Sequence, residues 1–164
     1  MASVLAALGE EKAEKWAKDM VANFAKRPQG NDRAQVKAIH EGECEIALIN
    51  NYYFGKLKFS EDPEQRKWAE SVRLVFPNQA EGDRGAHVNI SGGGIAKFSK
   101  NKEEAQKLLE FLTSEKAQKL YGEINFEYPA NLKIEPGDEL KSWGSFREDT
   151  PVSYTHLTLP TTEA

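Results

Sequence analysis

Apolar positions recur at three- and four-residue spacing along much of the chain, which predicts helices. Residues 2–8 read as the tail of a helix stopped near Gly9. From Glu10 to Phe24, the side chains of Ala13, Trp16, Ala17, Met20, Val21 and Phe24 share one helical face. Pro28-Gln29-Gly30-Asn31 predicts a loop. Asp32 with Gln35 resembles a capping box, opening a helix with Val36 and Ile39 inward. After Gly42 the pattern changes: Cys44 to Ile49 is a compact apolar run, which predicts a buried strand. Tyr52 to Leu57 returns to helix, and Asp62-Pro63 supplies a cap and first-turn proline for another through Ser71. Val72 to Phe76 and His87 to Ser91 read as further strands, separated by the polar loop Gln79 to Gly85. Asn101 with Glu104 caps a helix whose Ala105, Leu108, Leu109 and Leu112 face a core, and Ser114 opens one more with Ala117, Leu120 and Tyr121. Pro129 and Pro136 break any long element in the remainder. Helices alternating with buried strands imply an α/β fold, helices covering a mainly parallel sheet.

Composition narrows the functional classes. The chain has 164 residues, is 39% hydrophobic and 29% charged, and carries a formal charge of -4. So weak an acidic excess gives no reason to expect nucleic acid or an anionic membrane as partner. No run approaches the ~18 apolar residues of a membrane span, so membrane insertion is not expected. Cys44 is the single cysteine, which excludes an internal disulfide and a zinc site of several thiolates. A buried, inert thiol is its default reading, with Glu43 and Glu45 solvated beside it.

Candidate chemistry centres on Asn50-Asn51-Tyr52-Tyr53-Phe54-Gly55, where the expected strand gives way to helix. Ligands of open α/β sheets bind beyond the carboxyl ends of strands. On a continued strand two adjacent side chains point to opposite faces; at a strand-to-helix turn both can converge. Phenolate is a hard oxygen donor suited to Fe(III), whereas calcium and magnesium take carboxylates, carbonyls and water. By themselves two adjacent tyrosines are more often packing aromatics. Ser91-Gly92-Gly93-Gly94 could cradle an anion but has neither P-loop nor dinucleotide spacing, so positive φ or close packing is the simpler reading. His40 reads as a solvated helix-terminal residue, His87 as structural, and Tyr121, Tyr128, Trp16, Trp68 and Trp143 as packing groups. No catalytic triad, zinc spacing or carboxylate dyad stands out.

Several ordered blocks carry a resemblance. Pro28-Gln29-Gly30-Asn31-Asp32, the stretch from Gly42 through Asn50-Asn51-Tyr52-Tyr53-Phe54-Gly55 to Leu57, and His87-Val88-Asn89-Ile90-Ser91-Gly92-Gly93-Gly94 are three of them. Asn101-Lys102-Glu103-Glu104-Ala105, Leu109-Glu110-Phe111-Leu112-Thr113-Ser114, Glu127-Tyr128-Pro129 and Ser142-Trp143-Gly144-Ser145-Phe146 continue it. Together they resemble the ferric-ion-binding proteins of bacterial ABC importers, from about residue 2 to Thr150. The resemblance implies a two-lobed, hinged α/β fold of the type II periplasmic binding protein kind, without catalysis. It implies Tyr52 and Tyr53 as ligands of Fe(III), with or without a synergistic anion, and an ABC permease as the partner receiving the iron. It implies a monomer, periplasmic or lipid-anchored outside the cytoplasm. Further ligands, including a tyrosine upstream of the first helix in one branch, are expected outside this chain.

On that basis the chain reads as mostly the C-terminal lobe: 1–82 with the tyrosine motif, 83–133 returning to the N-terminal lobe, and 134–150 returning again. Met1-Ala2-Ser3-Val4-Leu5 contains no signal peptide, consistent with a chain that begins inside a longer one. Residues 151–164 read as a non-native tail, similar to a translated sequencing adapter, so Tyr154 and His156 are set aside. The competing readings are the same fold carrying a polyamine, sugar or oxyanion, an enzyme built on the glycine loop, and a receptor fragment without function.

Overall fold

The structure, a computed structural model, describes residues 2–149. The expectation of a non-native tail at 151–164 lies outside the described residues. The described chain divides into two compact units.

The first unit gathers residues 2–29, 75–90 and 146–149. Helix α1, Ala2–Leu8, and helix α2, Glu10–Ala22, pack against each other. The glycine between them has φ +75, a left-handed value that stops one helix and turns the chain into the next. Along α2 only Ala13 is fully buried, while Ala17 and Met20 are half-buried and Trp16, Val21 and Phe24 are exposed. The unit is closed by long-range ties. The Ala86 N–H donates to the Arg147 carbonyl and the Asp149 N–H to the Ala86 carbonyl, both at 2.8 Å. Phe76 stacks on Phe146 with centroids 4.2 Å apart. The Arg84 guanidinium reaches the Ser3 carbonyl at 3.1 Å and the buried Asp149 carboxylate at 3.1 Å.

The second unit, residues 30–74 and 91–145, carries the tyrosine pair. Helices α3 (Asp32–His40), α4 (Asn51–Lys58) and α5 (Pro63–Glu70) meet around Val36, Leu57 and Ala69. Ile49, Phe54, Trp68 and Val72 pack around that core. Asp62 caps α5 as expected, its carboxylate accepting from the Glu64 N–H at 2.9 Å. Helices α6 (Lys102–Leu112) and α7 (Glu115–Leu120) follow, and a π-helical turn, Tyr121–Asn125, continues α7 toward α4. Ser114 caps α7 through the Ala117 N–H. Helix α8, Asp138–Ser142, was not expected from the sequence; its Leu140 is fully buried.

Several expectations are corrected. No strand forms among the described residues, whose β-type pairing is one isolated parallel bridge, Ala86 to Glu148. A strand is stable only against neighbours that complete its hydrogen-bond ladder, and no described segment forms a β-bridge with 44–49 or 72–76. The period-2 signal survives nonetheless: Val72, Leu74 and Phe76 are half-buried, Arg73 and Val75 exposed. Instead of being buried, Ile46 is 83% and Leu48 71% exposed, and Cys44 is half-buried. The cap of α3 is Asn31, whose side chain accepts from the Ala34 N–H, rather than the expected Asp32. Asn101 makes no side-chain cap bond, and α6 has no fully buried residue, with Leu108 largely exposed. Of the Gly92-Gly93-Gly94 run none has positive φ, and only Gly93 is closely approached, by Leu109.

Candidate metal centre

Helix α4 is held from below by its own sequence. Leu57 is completely buried between α3 and α5, a burial that contributes roughly 1.5–3 kcal/mol. Gly55 lets Phe126 press against the helix backbone: a Cβ at this position would lie 2.3 Å from the Phe126 ring. Phe126 itself has φ 59, left-handed and strained for a non-glycine residue. Its ring is buried and stacks on Phe59, centroids 5.4 Å apart. Phe54 packs edge-on against Trp143 at 5.8 Å. Glu139 on α8 takes both the Trp143 indole N–H at 2.8 Å and the Lys58 ammonium at 2.6 Å.

That scaffold fixes the helix whose first turn presents Tyr52 and Tyr53. Both are half-buried, and their ring centroids lie 4.5 Å apart with planes tilted by 37°. The residues expected to act together are therefore neighbours in space as well as in sequence. Lys56, one helical turn on, holds its ammonium 5.2 Å over the Tyr52 ring and 5.9 Å over the Tyr53 ring. From α3 the Arg33 guanidinium stands 5.9 Å over Tyr53. Such placements attract through the ring quadrupole.

The Tyr52 phenol is held above its ordinary pKa, first by a side-chain hydrogen bond with Tyr53, then by burial. The negative charges of Asp32 and Glu127 add to this. Glu127 also accepts from the Ser91 hydroxyl at 2.9 Å, which ties the start of the glycine run to the surroundings of the pair. Tyr52 is thus protonated near neutral pH, and an incoming cation must displace its proton.

Sequence reading did not find Arg33, Lys56, Asp32 or Glu127 as neighbours of the tyrosines. Lys56 was findable, because i and i+4 share a helix face. The others come from distant segments and left no local signal. His40 and His87 are exposed, and Tyr128 is a half-buried packing residue whose hydroxyl donates to the Leu140 carbonyl at 3.3 Å. Among the described residues no group of three His, Cys, Asp or Glu side chains could hold a metal ion. A cavity of about 320 Å³ lined by Phe59, Phe126 and Leu140 has neither tyrosine in its wall. No helix among the described residues is long and apolar enough to cross a membrane.

Known proteins share this arrangement of sequence and fold. Residues 4–148 match the family described as bacterial extracellular solute-binding protein. Iron uptake protein A1 of Synechocystis sp. is 48% identical over 150 residues, covering 92% of this chain and 41% of that protein. The major ferric iron-binding protein of Neisseria meningitidis serogroup B is 32% identical over 126 residues, 77% of this chain and 36% of that protein. Among solved structures, ferric iron-binding protein A of Mannheimia haemolytica in an open conformation superposes with TM-score 0.82 at 47% identity, over 91% of this chain and 46% of that one. The Trichodesmium protein solved with iron and citrate gives TM-score 0.82 at 48% identity, over 90% and 46%. The chain spans less than half the length of each of these relatives.

Proposed function

This chain belongs to the bacterial extracellular solute-binding proteins, and from that premise we propose that its protein is a ferric-ion receptor of an ABC importer with Tyr52 and Tyr53 as iron ligands. The observation that carries the reading is the tyrosine pair: two phenols 4.5 Å apart at the head of a buried-core helix, beside two cationic side chains. A trivalent hard cation is the kind of Lewis acid that displaces phenol protons near neutral pH. The relatives' names, which speak of iron uptake and ferric iron binding, support the same cargo. Two phenolates fill only part of a six-coordinate ferric shell. The remaining positions fall to groups of the longer protein or to a small anion; the citrate beside iron in the Trichodesmium structure supports the latter. The protein works in the periplasm in a fold of the type II periplasmic binding kind, closing two lobes on its cargo and releasing it to a permease.

Titration of the full-length protein with Fe(III) tests the site. Tyrosinate ligation gives a visible phenolate-to-iron charge-transfer band, and Tyr52→Phe with Tyr53→Phe abolishes it without lowering the melting temperature. Because each phenol gives up a proton when it ligates iron, apparent affinity rises by about tenfold per pH unit for each proton displaced, below the phenol pKa. A band and affinity unchanged in the double variant would remove the assignment.

A further inference from the structure

Asn50 stands where a helix cap belongs, yet it does not cap. Asn31, Asp62 and Ser114 each accept from a backbone N–H of the helix they open. Asn50, by contrast, makes no side-chain bond to α4. Its amide is turned away, and the Asp32 carboxylate at the head of α3 takes both the Asn50 backbone N–H at 2.7 Å and its side-chain NH2 at 3.2 Å. One oxygen therefore holds the residue two places before Tyr52 by two charge-assisted bonds across 18 residues of sequence. Asp32 is the first residue of α3, whose cap is Asn31.

A capping bond would stabilise α4 locally. Forgoing it for a bond to another helix fixes where the helix starts, and the start is what aims the two phenols: the Tyr53 N–H bonds to the Asn50 carbonyl at 3.1 Å, so the first turn is built directly on that residue. We infer that Asp32 is a positioning residue for iron binding, clamping Asn50 so that Tyr52 and Tyr53 are presented to one metal ion in a fixed geometry. Groups that orient ligands in this way set metal affinity without touching the metal.

The inference rests on the tyrosine reading above, and its test separates the two. Full-length wild type, Asp32→Ala, Asn50→Ala, the double variant and Asp32→Asn are titrated with Fe(III) supplied as ferric nitrilotriacetate, following affinity and the charge-transfer band. Asp32→Ala is expected to weaken binding about tenfold or more and to shift the band, in the range found for orienting partners of metal ligands. The double variant should lose no more than Asp32→Ala, because both changes remove one contact. Asp32→Asn, which can still accept from Asn50, should stay within about threefold of wild type. Unchanged binding in Asp32→Ala, strictly additive losses, or a fall in Asp32→Asn equal to that in Asp32→Ala would each overturn the clamp. Should Asp32→Ala fail to fold, the comparison of Asn50→Ala with Asp32→Asn decides: Asn50→Ala must weaken binding and Asp32→Asn must not. Wild type without a charge-transfer band would instead overturn the tyrosine ligands, and the clamp with them.

Discussion

Two adjoining stretches of the second unit behave in opposite ways. Cys44–Ile49 is among the most apolar runs in the chain, yet it forms no regular element, and Ile46 and Leu48 point into solvent. Asn51–Lys58 is more polar and contains a glycine in mid-helix, a residue that weakens isolated helices. It nevertheless forms a complete helix with Leu57 at zero exposure. A helix satisfies its backbone within its own segment, so tertiary contacts need only cover one face. A strand satisfies its backbone only through other segments. Hydrophobicity predicts that a stretch is meant for burial; whether it is buried depends on who is there to cover it.

The contrast can be broken at its anchored side first. Leu57→Ala removes the most enclosed side chain of the three-helix core and is expected to lower stability by about 2–5 kcal/mol, measured by urea unfolding. A loss under 1 kcal/mol would mean that α4 is held by its aromatic neighbours and not by this core. Gly55→Ala sets two effects against each other. Helix propensity favours alanine by about 1 kcal/mol, but the new methyl would overlap the Phe126 ring, and such overpacking costs about 1–3 kcal/mol. Net destabilisation is expected, with loss of the Phe59–Phe126 stack visible in near-ultraviolet circular dichroism; a stabilised variant would show that Phe126 moves aside freely. The smallest effect belongs to the exposed side. Ile46→Ser and Leu48→Ser in this chain should each change stability by no more than about 0.5 kcal/mol, as surface positions do. A larger loss would reveal a partner for that run.

The candidate centre was legible unevenly. Tyr52 and Tyr53 stand out because neighbouring identical aromatics at the end of an apolar run are conspicuous, and Lys56 follows from helix spacing. Asp32 was noticed, but as a helix cap, since residues 32 and 35 match a local motif while its true partner, Asn50, is 18 positions away. Glu127 enters through the π-helical turn and the left-handed Phe126, a backbone path with no signature in composition or periodicity.

By itself the sequence determined where some helices begin or end: Gly9, Asp62-Pro63 and Ser114 act within a few residues of themselves, and so do the capping bonds and φ restrictions they impose. It also determined which chemical groups are available, two phenols in place of a thiolate or histidine cluster. Only the tertiary structure decided that the apolar run 44–49 stays without a ladder, that Phe126 seats on Gly55, and that Asp32 grips Asn50. Those outcomes depend on contacts between segments distant in sequence, whose geometry is set by packing and backbone hydrogen bonding rather than by the identity of adjacent residues.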